Sequence, residues 1–324
     1  MSSMGLIYGS RFEDIDHLAP LMEILGIPLF VTDEEIRKII EIFYPAVNVQ
    51  LQIPNDLGKK LLATGNTVIS CMPTVTIRRL LGLEEMMAKR QLHTIFLPHG
   101  YSPQIDKTIL AEKNVLVLGK KMIDLFYSLS QVMNFETLVS VGNYRYLYYQ
   151  KNKEFMQQRL ESWYNNCAHH RAVFFPTDFE EPEHIVFLRE NLIANWDLFV
   201  VHHPINATDP IIKVLKESEK LTTPYIYPYL GQGALFVVEE SNVVYDALFF
   251  ETPTFFFKDH PELDTLGIKF DKNMEEGLKK VEHLKNKKKE ILPYAFDLYP
   301  SLDAIKVRLE LLLSGIGSLD DYHP

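Results

Sequence analysis

The chain has 324 residues and is poor in cysteine, in basic charge and in long apolar runs, and each shortage excludes a class of protein. Its two cysteines, Cys71 and Cys167, are too few and too far apart for a disulfide framework. A net charge of -10 argues against a nucleic-acid-binding protein, which would carry a basic face. No apolar run approaches the roughly 20 residues that a membrane-spanning helix needs. The N-terminus also lacks a signal-peptide pattern. We therefore predict a globular cytoplasmic protein with no nucleic-acid partner.

Three motifs that serve many α/β proteins are also missing. The sequence has no GxxxxGK[ST] phosphate loop, no GxGxxG dinucleotide fingerprint and no GxSxG nucleophile elbow. The most familiar kinds of nucleotide hydrolase, nicotinamide-dependent enzyme and serine hydrolase therefore have no support in the sequence.

The sequence does contain short apolar runs that alternate with helical patterns, which indicates an α/β fold with parallel strands. The clearest unit extends from Leu235 to Asp259. It consists of the apolar run Leu235 to Val238, the polar residues 239–242, the amphipathic segment Val243 to Phe250, and the apolar run Thr254 to Phe257. Parallel strands that are buried on both faces have this continuous apolar character, so the unit is predicted to be βαβ.

Two successive series of such units predict two domains that divide near residue 135. We predict an N-terminal Rossmann-like domain (residues 1–134), a second Rossmann-like domain (residues 135–298), and a C-terminal helix (residues 299–324) that packs back on the body. Ligands bind beyond the carboxyl ends of the strands in open parallel sheets. Polar residues at predicted strand ends are therefore site candidates, and they are Arg11, His99, Asn143, Arg145, Thr177, His203 and Ser241.

The polar residues before Val243 are candidates for binding an anion. Ser241 and Asn242 stand where a strand ends and a helix begins, and the free N–H groups and helix dipole at such a point favour phosphate. The alternative is that one of the two simply caps the helix. His99 has two equally good interpretations, a general base or phosphate contact and a structural hydrogen bond at a turn. For His203 the alternative is an interface or surface histidine.

The order of these motifs resembles the CDP-glycerol glycerophosphotransferase family, the teichoic-acid polymerase type of GT-B transferase. The resemblance covers roughly residues 94–258. The motifs are His99-Gly100, Gly142-Asn143-Tyr144-Arg145, Pro176-Thr177, His203-Pro204, the segment from Glu240 to Asp246, and Pro253 followed by Phe255 to Phe257. The resemblance implies the GT-B fold, in which two Rossmann-like domains turn their parallel sheets toward a central cleft.

The resemblance also implies an activity and a set of site residues. A nucleotide-activated donor, with CDP-glycerol or a related CDP-polyol favoured, would react with a polyol, sugar or lipid-linked acceptor. His99 would take the proton of the acceptor hydroxyl, and His203 would stabilise charge on the leaving phosphate. The donor and its phosphates would contact Arg11, Gly100, Asn143, Arg145, Thr177, Ser241, Asn242 and Asp246. Because enzymes of this fold commonly work without a bound metal, we expect no metal and no cofactor.

Two other functions remain open from the sequence. Gly9-Ser10-Arg11-Phe12-Glu13, followed by Leu18-Ala19-Pro20-Leu21, is similar to the opening of non-hydrolysing UDP-N-acetylglucosamine 2-epimerases, and this similarity implies an epimerase-like enzyme. Glu239 and Glu240 place negative charge beside the candidate phosphate site, which favours a non-catalytic nucleotide-binding protein.

The basic cluster Lys285 to Lys289 is most simply a solvated helix face. The alternative is a peripheral contact with anionic lipid at the inner face of the membrane.

Overall fold

The structure is a computed structural model that describes most of the residues of the chain. These are residues 3–100, 111–128, 135–159, 170–175, 182–191, 196–201, 220–221, 226–231, 235–238, 243–257, 266–269 and 279–314. The chain divides into two compact units. The first combines Met1–Tyr148 with Tyr294–Pro324, and the second is Tyr149–Pro293.

The first unit is built on a seven-stranded parallel sheet. Its strands are β1 (Ser3–Ile7), β2 (Leu29–Val31), β3 (Val49–Leu51), β4 (Thr67–Ser70), β5 (His93–Phe96), β6 (Asn114–Val117) and β7 (Thr137–Ser140). They are arranged in the order β3-β2-β1-β4-β5-β6-β7. The order reverses between β1 and β4, which is the switch point where ligands bind in Rossmann-like sheets.

Helices connect these strands, and local sequence signals define their ends. They are the 3₁₀ turn η1 (Phe12–Asp14), α1 (Ile15–Leu25), α2 (Glu34–Phe43), α3 (Pro54–Thr64), α4 (Thr74–Ala88) and α5 (Lys120–Ser128). The next helix, α6 (Tyr144–Arg159), follows β7 and continues past Tyr148, the residue at which the N-terminal part of the first unit ends. Helix α1 ends at Gly26, whose φ of 67° lies in the left-handed region that glycine tolerates best. Helix α2 begins after Asp33, whose carboxylate accepts hydrogen bonds from the backbone N–H groups of Glu35 and Ile36.

An apolar core holds the strands that carry the candidate site. Buried side chains of β1, β2 and β4 pack with buried side chains of α3 and α4, and they include Met4, Leu6, Phe30, Leu57, Leu61, Val68, Ile77 and Leu81. Burial of one such side chain contributes about 1.5–3 kcal/mol. The core therefore fixes the positions at which β1 and β4 end.

The second unit contains a six-stranded parallel sheet. Its strands are β8 (His170–Phe175), β9 (Trp196–Val201), β10 (Lys220–Leu221), β11 (Leu235–Val238), β12 (Thr254–Phe256) and β13 (Ile268–Lys269). Their order, β10-β9-β8-β11-β12-β13, repeats the pattern of the first sheet. The described helices are α7 (Pro182–Asn191), α8 (Tyr227–Leu230), α9 (Val243–Asp246), the 3₁₀ turn η2 (Ala247–Phe249) and α10 (Val281–Ala295).

The structure confirms the predicted βαβ unit after Leu235. Strands β11 and β12 are parallel neighbours, with Phe236 opposite Thr254. The helical part is shorter than the sequence pattern indicates, because α9 forms a single turn and continues as η2.

The boundaries between the two units in the structure differ from the predicted domain boundaries. Strand β7, which lies within the predicted second domain, belongs to the first sheet, because it pairs with β6 and places Leu138 opposite Val115. The first unit therefore extends to Tyr148, beyond the predicted end at residue 134, and the second ends at Pro293 rather than at residue 298. The C-terminal helix, α11 (Leu302–Ser314), contacts α1 within the first unit.

In the described part of the chain, no helix combines the length and the apolar character needed to cross a membrane.

Candidate active site

Three loops that follow neighbouring strands bring polar side chains together in the first unit. The loop after β1 supplies Arg11 and Asp14, the loop after β4 supplies Cys71, and the loop after β5 supplies His99. Carboxyl ends of parallel strands lie at the same edge of a sheet. The cluster therefore forms beside the switch point between β1 and β4.

The turn after β1 is fixed by contacts with the loop after β2. Gly9 has a φ of 74°, which a larger residue resists, and its N–H donates to Oγ1 of Thr32 over 2.8 Å. The hydroxyl of Ser10 donates to Oδ2 of Asp33 over 2.5 Å. These contacts set the position from which Arg11 enters the cluster.

The guanidinium of Arg11 joins the members of the cluster. Its Nε donates to Oδ2 of Asp14 over 2.8 Å, its Nη2 lies 2.7 Å from Nε2 of His99, and Oε1 of Glu13 lies 3.3 Å from the same Nη2. Burial acts to lower the pKa of Arg11. The hydrogen bond and charge of Asp14 and the charge of Glu13 outweigh it, so the pKa is raised. Arg11 thus stays positively charged beside two carboxylates.

His99 is partly exposed and is held by a buried carboxylate. Its Nε2 lies 2.9 Å from Oδ1 of Asp14, and 32% of the His99 side chain is exposed while Asp14 has no exposed surface. Nε2 faces Asp14, which can only accept, and Arg11, which can only donate, so its protonation decides which of the two it bonds. In the tautomer with the proton on Nε2, that nitrogen donates to Asp14 and Nδ1 holds the lone pair; with the proton on Nδ1, Nε2 accepts from Arg11. Among the residues that the structure describes, none forms a hydrogen bond to Nδ1. This arrangement suits a base that is oriented by a carboxylate.

A second imidazole lies against His99. The rings of His17 and His99 meet edge to face, with centroids 5.5 Å apart. Burial of His17, together with the charges of Arg145 and His99, lowers its pKa well below the ordinary value. His17 is therefore a neutral group at neutral pH.

Asp14, Cys71 and His99 also have the donor atoms of a metal site. One ligand atom from each lies within 4.8 Å of the others, and zinc binds these donor types. However, Arg11 already contacts both Asp14 and His99, so a metal ion would have to displace a guanidinium. Burial and the charge of Asp14 also raise the pKa of the Cys71 thiol well above its ordinary value, and metal binding requires the thiolate. The chemistry of the cluster therefore favours an ion-paired acid–base site over a metal centre.

Asn143 and Arg145 were predicted to contact the donor, but the structure gives their side chains other partners. The side-chain oxygen of Asn143 accepts from the backbone N–H of Tyr299 over 3.0 Å, and the side-chain nitrogen of Asn143 donates to the backbone C=O of Tyr299 over 3.4 Å. Arg145 is buried and forms an ion pair with Asp16, whose Oδ1 accepts from the hydroxyl of Tyr44 over 2.6 Å. These contacts hold parts of the first unit together and do not point to a ligand.

The remaining predicted residues are divided between the two units. Gly100 is buried next to His99. Asp246 is buried in the second unit, where its Oδ1 accepts from the hydroxyl of Tyr227 over 2.6 Å. Thr177, His203, Ser241 and Asn242 lie outside the described residues.

The structure thus brings together Arg11, His99 and Gly100 of the predicted set. It adds four residues that sequence reasoning missed, namely Glu13, Asp14, His17 and Cys71. One signal was present for two of them, because Asp14 and His17 are three residues apart at the start of a helix and so lie on one face.

No protein-family model matches the chain, and no curated protein matches its sequence. Solved structures do match it over nearly their whole length. The S. aureus MnaA–UDP co-structure is 14% identical with a TM-score of 0.65, and the match covers 100% of both chains. The UDP-GlcNAc 2-epimerase of Methanocaldococcus jannaschii, in complex with UDP-GlcNAc and UDP, is 15% identical with a TM-score of 0.62. That match covers 97% of this chain and 100% of the epimerase.

The wall teichoic acid polymerase TagF, as a variant soaked with CDPG, is 11% identical with a TM-score of 0.64, and the match covers 96% of this chain and 86% of TagF. Likeness at such low identity shows the fold alone. It confirms the predicted α/β fold class of GT-B type, and both kinds of enzyme suggested by the sequence occur among the matched structures.

Proposed function

We propose that the chain is an enzyme that acts on a nucleotide-activated donor and transfers a group from CDP-glycerol, or a related CDP-polyol, to an acceptor hydroxyl. The observation that carries the proposal is the partly exposed imidazole of His99, held by the buried carboxylate of Asp14 at the switch point. A positioned base of this kind contributes roughly 10²–10⁴-fold to a reaction rate. Structures of the same fold that were determined with UDP, UDP-GlcNAc or CDPG support a nucleotide donor.

In this proposal His99 takes the acceptor proton at Nδ1. The acceptor oxygen then forms a bond to phosphorus, and the bond from that phosphorus to the departing CMP breaks. The step uses the tautomer in which Nε2 donates to Asp14 instead of accepting from Arg11, and Asp14 stabilises the imidazolium that forms. Arg11 compensates the charge of Asp14, which has no exposed surface. The neutral ring of His17 adds no charge that would oppose protonation of His99.

The donor-binding part of the proposal rests on the sequence. Ser241, Asn242 and Thr177 are proposed to bind the donor phosphates, and His203 to stabilise the leaving phosphate. Asp246 is proposed to support this region through its hydrogen bond with Tyr227.

An epimerase-like reaction is the second candidate, and one observation favours it. The segment that resembles the 2-epimerases, Gly9 to Leu21, is the segment that supplies most of the cluster: Arg11, Glu13, Asp14 and His17. In this reaction the cluster would exchange a proton on a carbon of a UDP-sugar, and no acceptor would be needed.

The two reactions are distinguished by their products. The protein is incubated in D₂O either with CDP-glycerol and a panel of polyol acceptors, or with UDP-GlcNAc alone. The transferase predicts CMP release that depends on the acceptor and no deuterium in the sugar. Deuterium at the sugar C2 without nucleotide release identifies the epimerase instead. Neither product, together with tight binding of CDP or UDP, identifies a binding protein and overturns both enzymatic proposals.

A further inference from the structure

A lysine of the second unit is buried in a cage of oxygen atoms. Lys288, on α10, is 3% exposed. Its Nζ donates to the backbone oxygens of Thr252 (2.7 Å), Ala247 (3.2 Å) and Phe250 (3.4 Å), and it lies 3.1 Å from Oγ1 of Thr254. All four oxygens belong to residues 247–254, the segment that runs from η2 to the start of β12 and that we call the connector.

The cage consists of neutral dipoles. In the described part of the chain, no carboxylate lies within ion-pair distance of the Lys288 ammonium. The nearest elements carry other charged groups, but these have their own partners. Glu251 of the connector lies 3.4 Å from Lys285, one turn before Lys288 on α10, and Asp246 of α9 accepts from the hydroxyl of Tyr227.

Carbonyl and hydroxyl oxygens without a carboxylate are the ligand set with which proteins replace the hydration shell of a monovalent cation. An ammonium group can bind the same set of oxygens, because it is a monovalent cation whose N–H groups donate hydrogen bonds to them. Loss of the cation would remove one donor from each of the four oxygens at once, and the carbonyl of Ala247 would keep its hydrogen bond from the N–H of Phe250 over 3.2 Å.

We propose that the connector is a binding site for a small monovalent cation of the ammonium type, that the chain fills this site with its own Lys288, and that the cation orders the connector. The four oxygens are spread over eight residues that form no continuous helix or strand, while the cation is fixed to α10, more than thirty residues later in the chain. Lys288 thus acts as a tethered ligand. The inference does not depend on the proposed reaction.

The protonation state sets the conditions for a test. Burial lowers the pKa of the Lys288 amine to about 7, and the four oxygens, which favour the charged form, act against this. Measurements at pH 6 therefore concern the ammonium form.

The test removes the tether and supplies the cation separately. Lys288→Ala deletes three carbons and a nitrogen, which are the heavy atoms of n-propylammonium. Without added cation, the backbone amides of residues 247–252 and 254 in the full-length variant should exchange hydrogen at least about tenfold faster than in the wild type, the factor expected for loss of one hydrogen bond to a charged group. Added n-propylammonium should restore most of the protection. Tetramethylammonium, which has no N–H donor, and n-propanol, which has no charge, should not.

Lys285→Ala is the matched control on the same helix. It removes a lysine whose ion pair with Glu251 lies at a partly exposed position, so it should leave connector exchange close to wild type and insensitive to propylammonium. Unchanged exchange in Lys288→Ala, or equal restoration by all three additives, would overturn the proposal.

A second variant covers the case in which Lys288→Ala does not fold. Folding only when n-propylammonium is present supports the cation site. If the variant folds with none of the additives, Lys288→Met decides, because methionine keeps an apolar stem of similar length on α10. Loss of connector protection in a folded Lys288→Met protein supports the proposal, and wild-type protection, or failure of this variant to fold, counts against it.

Discussion

Two imidazoles that touch each other, His17 and His99, differ in burial, and this difference gives them different chemistry. His99 is partly exposed and has a carboxylate beside it, so it can take and release a proton. His17 is buried behind it and stays neutral. At the scale of single residues, the candidate site is one partly exposed imidazole beside a carboxylate, packed against a second, buried imidazole that is neutral at neutral pH.

Protonation of His17 should contribute to the loss of stability in acid. Its pKa is lowered well below 6.5 in the folded protein, while an unfolded chain keeps a value of about 6.5. As the pH falls below about 6.5, the unfolded state binds a proton that the folded state does not bind. The free energy of unfolding then falls by up to roughly 1.4 kcal/mol per pH unit from this group. Urea unfolding between pH 4.5 and 8 measures the effect.

His17→Leu removes the titrating ring but keeps a side chain of similar size, so its stability should vary less with pH than that of the wild type. Met22→Leu changes the packing of the same helix without removing a titratable group, so it should keep the wild-type slope. If His17→Leu and the wild type have the same slope, His17 is not buried in its neutral form.

The sequence predicted part of this site, and the reason lies in the individual residues. Arg11 and His99 each stand at the end of a predicted strand beside a glycine, and that local pattern is visible without a structure. His17 is followed on its helix face by apolar residues, and in such a setting a histidine is usually part of the core. Cys71 becomes a neighbour of His99 only because β4 and β5 are adjacent in the sheet.

At the scale of elements, the turn after β7 is a docking point within the first unit. Gly142 has a φ of 50°, and the backbone N–H of Asn143 donates to the C=O of Asp297 over 3.2 Å. A β-carbon at Gly142 would lie 2.1 Å from that C=O. The Gly142-Asn143 motif, which was predicted from the sequence to bind the donor, therefore contacts the segment of the chain that precedes α11. A left-handed glycine can be recognised from sequence, but the group that approaches it, ligand or chain, cannot.

Two glycine substitutions should change stability in opposite directions. Gly142→Ala places a methyl group against a backbone oxygen and forces a left-handed alanine, which should cost roughly 1–3 kcal/mol or more. Gly82→Ala, inside α4, meets nothing within 4 Å and should gain about 0.5–1 kcal/mol from better helix propensity. Urea unfolding of the two variants measures both effects. A Gly142→Ala protein as stable as the wild type would contradict the close approach of residue 297.

At the scale of the whole molecule, the alternation of apolar strands with helices was sufficient to predict two parallel α/β units. Buried parallel strands are short, apolar and bounded by turns, so Leu235 to Val238 and Thr254 to Phe256 are recognisable one at a time. The sequence did not show that β7 completes the first sheet or that Tyr294–Pro324 returns to that unit. Both depend on pairing between distant segments, and a local apolar pattern does not specify which neighbour a strand will choose.

The most direct measurement is the turnover of the nucleotide-activated donor that the wild type converts, compared between His99→Ala and His93→Ala. His93 is an exposed histidine at the opposite end of the same strand, β5, so its removal matches the chemical change without touching the cluster. We predict that His99→Ala lowers kcat by roughly 10²–10⁴-fold while nucleotide affinity changes little, and that His93→Ala keeps the wild-type rate. A wild-type rate in His99→Ala would show that the cluster of Arg11, Asp14 and His99 is not the acid–base site of this protein.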